Sequence, residues 1–228
     1  MYDWANSGFV TTVMTVVMPI YFARVAGQGL SSNTATAYWG YTQSIALFIV
    51  LLLSPVLGQI ADTFQAKKKF LLFFTYMGII TSFLMYSIGE GQWLWAAILV
   101  VVGTVAFSAS NVFYDAFLTD IVPRDERDNI SIRGYAIGYI GGGTLLAINL
   151  GVMHFHDFFH LSHLMATKLA FITVGIWWFV FSIPLIRNVH EKKVDRKEKA
   201  HLQVLNGFKG VYNTLRRIGK YPELLKFL

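Results

Sequence analysis

Ser54-Pro55-Val56-Leu57-Gly58-Gln59-Ile60-Ala61-Asp62-Thr63-Phe64-Gln65-Ala66-Lys67-Lys68-Lys69 joins two almost wholly apolar runs, Ile45 to Leu53 before it and Phe70 to Phe83 after it. One acid and three consecutive lysines sit between them. Hydrocarbon tolerates apolar helices but penalises each lysine at its centre, so these lysines belong at a membrane surface. The economical reading is a short charged hairpin between two membrane spans. Because Lys and Arg mark cytoplasmic loops, the hairpin also orients the chain.

Composition leads to the same class. The 228 residues are 55% apolar and 14% charged, and the mean hydropathy of +0.51 lies far from that of a soluble domain. There are no cysteines, which excludes disulfide frameworks, Cys-ligated zinc and thiol catalysis. The net charge of +6 is gathered into a few gaps between apolar runs, a distribution that argues against a nucleic-acid partner. No cleavable leader is expected, since the first apolar run lacks a basic flank and is long enough to span.

Six runs approach the ~20 residues a bilayer requires: Trp4–Val25, Tyr38–Ala61, Phe70–Gly89, Trp93–Phe117, Ile130–Met153 and Met165–Ile186. An all-α membrane protein with a six-span bundle over residues 1–188 is therefore expected. Pro19, Pro55 and Pro184 fall inside spans, where neighbouring helices can re-satisfy the backbone. Gaps after the first, third and fifth spans hold only Arg24 and Lys168, whereas the even gaps hold the other 17 of the 19 basic residues. That asymmetry places the N-terminus and the even loops in the cytoplasm. Residues 189–220 read as a charged cytoplasmic loop followed by an amphipathic helix carrying Leu202, Leu205, Tyr212, Leu215 and Ile218. Residues 221–228 read as the start of a seventh span, which makes the chain look like a fragment.

Two polar stripes interrupt the apolar surface. Thr104, Ser108, Asn111 and Asp115 follow one another at spacings of 4, 3 and 4 on the fourth span, and Asp3, Ser7 and Thr11 lead to Thr15 at spacings of 4 on the first, with Asn6 beside them. With the N-terminus inside, both stripes converge at the cytoplasmic side, where they suit a cavity. The bland alternative is interhelical hydrogen bonding with both acids at the interface. Asp115 has three candidate roles: a proton-coupling site, a fixed anion for a substrate amino group, or a salt bridge to Arg133. Gly134, Gly138 and Gly142, four apart on the fifth span, form a small-residue row that lets two helices approach closely. Nothing around them supports a phosphate loop. Between the fifth and sixth spans lie His154, His156, His160 and His163. His156 and His160 could share a helical face and hold a metal in a membrane enzyme, but the lone cluster is interleaved with Phe155, Phe158 and Phe159, so an interfacial loop without metal or cofactor is the expectation.

Tyr2-Asp3-Trp4-Ala5-Asn6-Ser7-Gly8-Phe9, the Ser54–Asp62 stretch and Gly134-Tyr135-Ala136-Ile137-Gly138-Tyr139-Ile140-Gly141-Gly142-Gly143 together resemble the major facilitator superfamily, and within it the branch related to the autophagy-linked vacuolar amino-acid effluxers. Gly58, Asp62, Lys67 and Lys68 are similar to the superfamily's signature loop, with Thr63 in place of a usual basic residue and Gln65 in place of a usual glycine. The resemblance covers only the N-terminal, six-helix half of such a protein. It implies alternating access between two halves built from inverted three-helix repeats, with the first and fourth helices lining the substrate cavity and the second and fifth meeting the other half, which would give the glycine row its partner. It also implies secondary transport of a small organic solute, with amino acids as the class and protons as a candidate co-substrate, in a bacterial cytoplasmic membrane. On this reading Asp115, Asn111, Ser108, Asp3 and Asn6 serve substrate or coupling, and Gly58, Asp62, Lys67 and Lys68 serve gating. A complete six-span protein acting as a dimer, or a metal-dependent enzyme on His154–His163, are the alternatives.

Overall fold

The computed structural model of the chain describes residues 1–63 and 67–189. The expected amphipathic helix and seventh span lie outside the described residues. Among those described, six helices are long and apolar enough to cross a membrane: α1 (Tyr2–Ala26), α2 (Ser32–Thr63), α3 (Lys67–Met85), α4 (Trp93–Ile121), α5 (Arg127–His154) and α6 (His163–Asn188). The chain is a multi-pass membrane protein.

Two helices start earlier than hydropathy indicates, for physical reasons. Ser31 Oγ accepts the Thr34 N–H at 3.2 Å, an N-cap that begins α2 two polar turns ahead of its apolar run. The three lysines open α3 instead of forming a loop before it. Cations are unfavourable at a helix N-terminus, but Lys68 Nζ donates to the Val189 carbonyl at 2.7 Å, at the C-cap of α6. One charge thus satisfies an orphan carbonyl of α6 and ties its end to α3.

Helix α1 is not a regular α-helix. Phe9–Val17 and Phe22–Ala26 are π-helical, and Met18 N–H donates to the Val13 carbonyl five residues back. π-Helical turns are rare and concentrate where function constrains a helix. The wide segment begins immediately after Asp3, Asn6 and Ser7.

The pairing of helices exchanges between the two halves of the bundle. Helix α1 packs against α5 and α6, α4 packs against α2 and α3, and α3 touches α6. Replacing each of the first three helices by its counterpart three positions later maps these contacts onto themselves. Since α1 and α4 cross the membrane in opposite senses, this is the contact pattern of an inverted repeat.

Without a hydrophobic force between helices in lipid, close packing holds the bundle together. The centre is an aromatic cluster in which Trp178, fully buried, lies with its ring 5.6 Å from Phe9 and 6.3 Å from Phe107. Glycines make room for it: a Cβ on Gly78 would meet Trp178 Cη2 at 2.5 Å, and one on Gly103 would meet Phe9 Cζ at 2.7 Å. Trp178 is therefore a core residue, and Trp177, half-buried against the same cluster, donates its Nε1–H to the Trp4 carbonyl at 2.9 Å. At the end of the bundle that holds the N-terminus, Phe113 stacks between Phe70 and Phe74. The faces of α2 with Tyr41, Ile45, Phe48, Leu51 and Leu52 and of α5 with Ile132, Ile137 and Ile140 remain exposed.

Candidate functional site

The first turns of α1, the middle of α4 and the glycine row of α5 meet around a cavity of about 140 Å³. Asp3, Asn6, Ser7 and Thr11 reach it from α1, Asn111 from α4, and Tyr135 and Tyr139 from α5. Asn6 Nδ2 donates to Asn111 Oδ1 at 2.6 Å, and Tyr114 donates its hydroxyl to Asp3 Oδ2 at 2.7 Å. The two polar stripes thus meet through side-chain hydrogen bonds across α1 and α4. Asp3 is only 8% exposed, and no ion pair reaches it among the described residues.

The remaining residues of the stripes do not line the cavity. Thr104 is buried and donates to the Val100 carbonyl of its own helix, and Ser108 is half-buried and does not line the cavity. Asp115 lies exposed one turn beyond Asn111, also outside the lining. No ion pair joins it to Arg133 among the described residues.

The close approach is made by glycine. A Cβ on Gly134 would stand 2.7 Å from Asp3 Oδ2, one on Gly138 would stand 2.8 Å from Ser7 Oγ and 3.0 Å from the Asp3 carbonyl, and one on Gly142 would stand 2.8 Å from Thr11 Oγ1. Thr11 Oγ1 also donates to the Gly142 carbonyl at 3.0 Å. The row was expected to meet the other half of a transporter. Its partner is instead α1 of this same bundle, because the glycines share the α5 face that packs onto the polar stripe of α1. Tyr114, Tyr135 and Tyr139 went unnoticed as site residues in the sequence. Tyr135 and Tyr139 stand four apart and alternate with the glycines, a spacing that could have placed them on the flank of the packed face.

In the signature stretch, an added Cβ on Gly58 would meet nothing within 4 Å among the described residues. Lys68 is the tie to α6 described above, and Lys67 also has an interaction partner. The side chain of Asp62 lies outside the described residues.

The histidines do not share a helix. Helix α5 ends at His154, and the following turn brings the Leu161 N–H to the His156 carbonyl at 3.0 Å, with His160 at a φ of 54°. Among the described residues no three of His, Asp or Glu come together where they could hold a metal ion.

Comparison with known proteins gives these features a family. The chain is 38% identical over 231 residues to the "Uncharacterized MFS-type transporter YxiO" of Bacillus subtilis, a match covering 100% of this chain and 54% of that protein. It is 24% identical over 208 residues to autophagy-related protein 22 of Coccidioides immitis, covering 68% of this chain and 34% of that one. Over 97 residues, 42% of this chain, it is 34% identical to autophagy-related protein 22-2 of Aspergillus fumigatus. The chain spans about half the length, or less, of these relatives. No solved structure matches it significantly. The family model described as "Vacuole effluxer Atg22 like" matches residues 28–228, most of the chain, and the chain belongs to that family.

Proposed function

We propose that this chain supplies one six-helix half of a secondary active transporter that moves a small organic solute, with amino acids as the first class to test, by alternating access against a second six-span unit. The observation that carries the reading is Asp3. A nearly buried carboxylate in a membrane span, without a basic partner among the described residues, needs a counter-charge that comes and goes. A substrate ammonium or a proton supplies one. Asn6, Asn111 and the tyrosines around it offer neutral donors and acceptors suited to the rest of a small polar solute. The names of the relatives, an MFS-type transporter and autophagy-related protein 22, support the class.

In this proposal Asp115, exposed one turn from Asn111, is the proton-coupling acid, and Ser108 serves the passage on the other side of Asn111. Gly58 and Asp62, with Lys67 and Lys68, gate movement against the second unit; the open space beside Gly58 is where that unit would pack. The Gly134–Gly138–Gly142 seam lets α1 slide on α5 as the cavity opens. No chemical step is assigned, so the protein is read as a carrier and not as an enzyme.

The test is a chimera in which the chain replaces the matching 54% of the Bacillus relative. Reconstituted in liposomes with a proton gradient, it should take up at least one labelled amino acid, whereas the 228-residue chain alone should take up none. A folded chimera that moves no amino acid would remove that substrate class, and uptake by the chain alone would favour a dimer of six-span units.

Orientation rests on the basic residues. The chain has no cysteines, so single replacements report cleanly. Lys69→Cys should react with a membrane-impermeant maleimide only in inside-out vesicles, and Ser32→Cys only in intact cells. The reverse pattern would place the N-terminus outside.

A further inference from the structure

At the end of the bundle opposite Asp3 lies a larger cavity, about 490 Å³, between α1, α5 and α6. Its size falls within the ordinary range of ligand sites. The polar part of its lining is one-sided: Arg24 from the end of α1, His154 from the end of α5, His156 from the following turn, and His163 and Thr167 from the start of α6. No acid lines it. Asp157, the nearest acid in sequence, is 95% exposed and turned to His156 Nδ1 at 3.1 Å. The other walls are apolar, with Val16 and Ile20 facing Leu150 and Met153.

This division of chemistry fits an amphiphilic anion. Arg24, His154 and His163 stand at helix termini and His156 in the turn between α5 and α6, which is the headgroup level of a bilayer, and the apolar walls run from there toward its interior. Two of those walls belong to the outer surface as well: Ile20 is 53% and Leu150 44% exposed. An acyl chain can therefore enter sideways from the hydrocarbon, a route closed to a soluble anion. We infer that this cavity binds an anionic phospholipid, its phosphate held by the Arg24 guanidinium with His154 and His163 as hydrogen-bond donors and its chain lying along Val16, Ile20, Leu150 and Met153. Arginine suits the phosphate because its planar fork presents paired donors. The cavity is separate from the Asp3 cavity, at the opposite end of the bundle.

The experiment is native mass spectrometry of the purified chain in a neutral detergent, with phosphatidylglycerol and phosphatidylcholine of matched chains as the probes. Phosphatidylglycerol should be retained in preference. Arg24→Gln should cut that preference about fivefold, the effect of one basic residue at an anionic surface. Arg24→Lys should keep most of it, and His154→Gln should lower it, so the reading survives if Arg24→Gln fails to fold. Equal retention of the two lipids, or an unchanged preference in both Arg24→Gln and His154→Gln, would overturn the inference. So would release of phosphatidylglycerol by millimolar inorganic phosphate, which would make this a site for soluble anions.

Discussion

Gly138→Leu is expected to lower the melting temperature of the detergent-purified chain by roughly 5–10 °C while Gly143→Leu leaves it unchanged. The two positions lie on one helix with the same intrinsic propensity, so helix preference cancels between them. A Cβ on Gly143 meets nothing within 4 Å, whereas one on Gly138 stands 2.8 Å from Ser7 Oγ and 3.0 Å from both the Cβ and the carbonyl oxygen of Asp3. Two of those three atoms are fixed by the α1 backbone, so no rotamer change relieves the clash, and α1 has to move away from α5. Displacement breaks the Thr11–Gly142 hydrogen bond and pulls Asp3 and Asn6 off the groups that face them. Overpacking of this kind typically costs about 1–3 kcal/mol. Membrane insertion should survive, because it depends on the apolar length of each span and not on this contact. Equal melting temperatures for the two variants would show that the α1–α5 seam tolerates separation. In the chimera with the Bacillus relative, Gly138→Leu should also abolish uptake.

Neutralising the two acids should separate substrate binding from proton coupling. Asp3→Asn is nearly isosteric and keeps an oxygen able to accept from Tyr114, but it removes the charge from the cavity. If the carboxylate holds a substrate ammonium, the lost charge-assisted bond corresponds to about 1.5–3 kcal/mol, or roughly 10- to 150-fold in affinity. Exchange of labelled for unlabelled solute and proton-driven accumulation should then fall together. Asp115 is exposed, off the lining and without an ion pair to Arg133, so Asp115→Asn should leave exchange intact and abolish accumulation against a gradient. Rescue of Asp115→Arg by Arg133→Asp would return Asp115 to the salt-bridge role. Wild-type exchange and accumulation in both single variants would remove both acids from the mechanism.

Among the described residues, the sequence alone determined the number of helices able to cross a membrane and their approximate limits, because apolar length is a property of each segment and hydrocarbon admits few other structures. It also determined which faces of α1 and α4 are polar, since side-chain direction follows helical period within one element. Limits failed where polar residues prolong a helix beyond its apolar run, as with the Ser31 cap and the lysines that open α3. Only the tertiary structure decided what each face meets. Periodicity orients a residue about its own helix axis but says nothing of the neighbour's position, and here neighbours are exchanged between three-helix repeats far apart in sequence. That exchange places the glycines of α5 on α1, selects Asp3 over Asp115 as the acid lining the cavity, and recruits three tyrosines to its surroundings. His156 and His160 failed to share a face for a simpler reason. A helix end at His154 and a left-handed backbone at His160 broke the period that had seemed to align them, and local turn geometry of that kind is not visible in side-chain spacing.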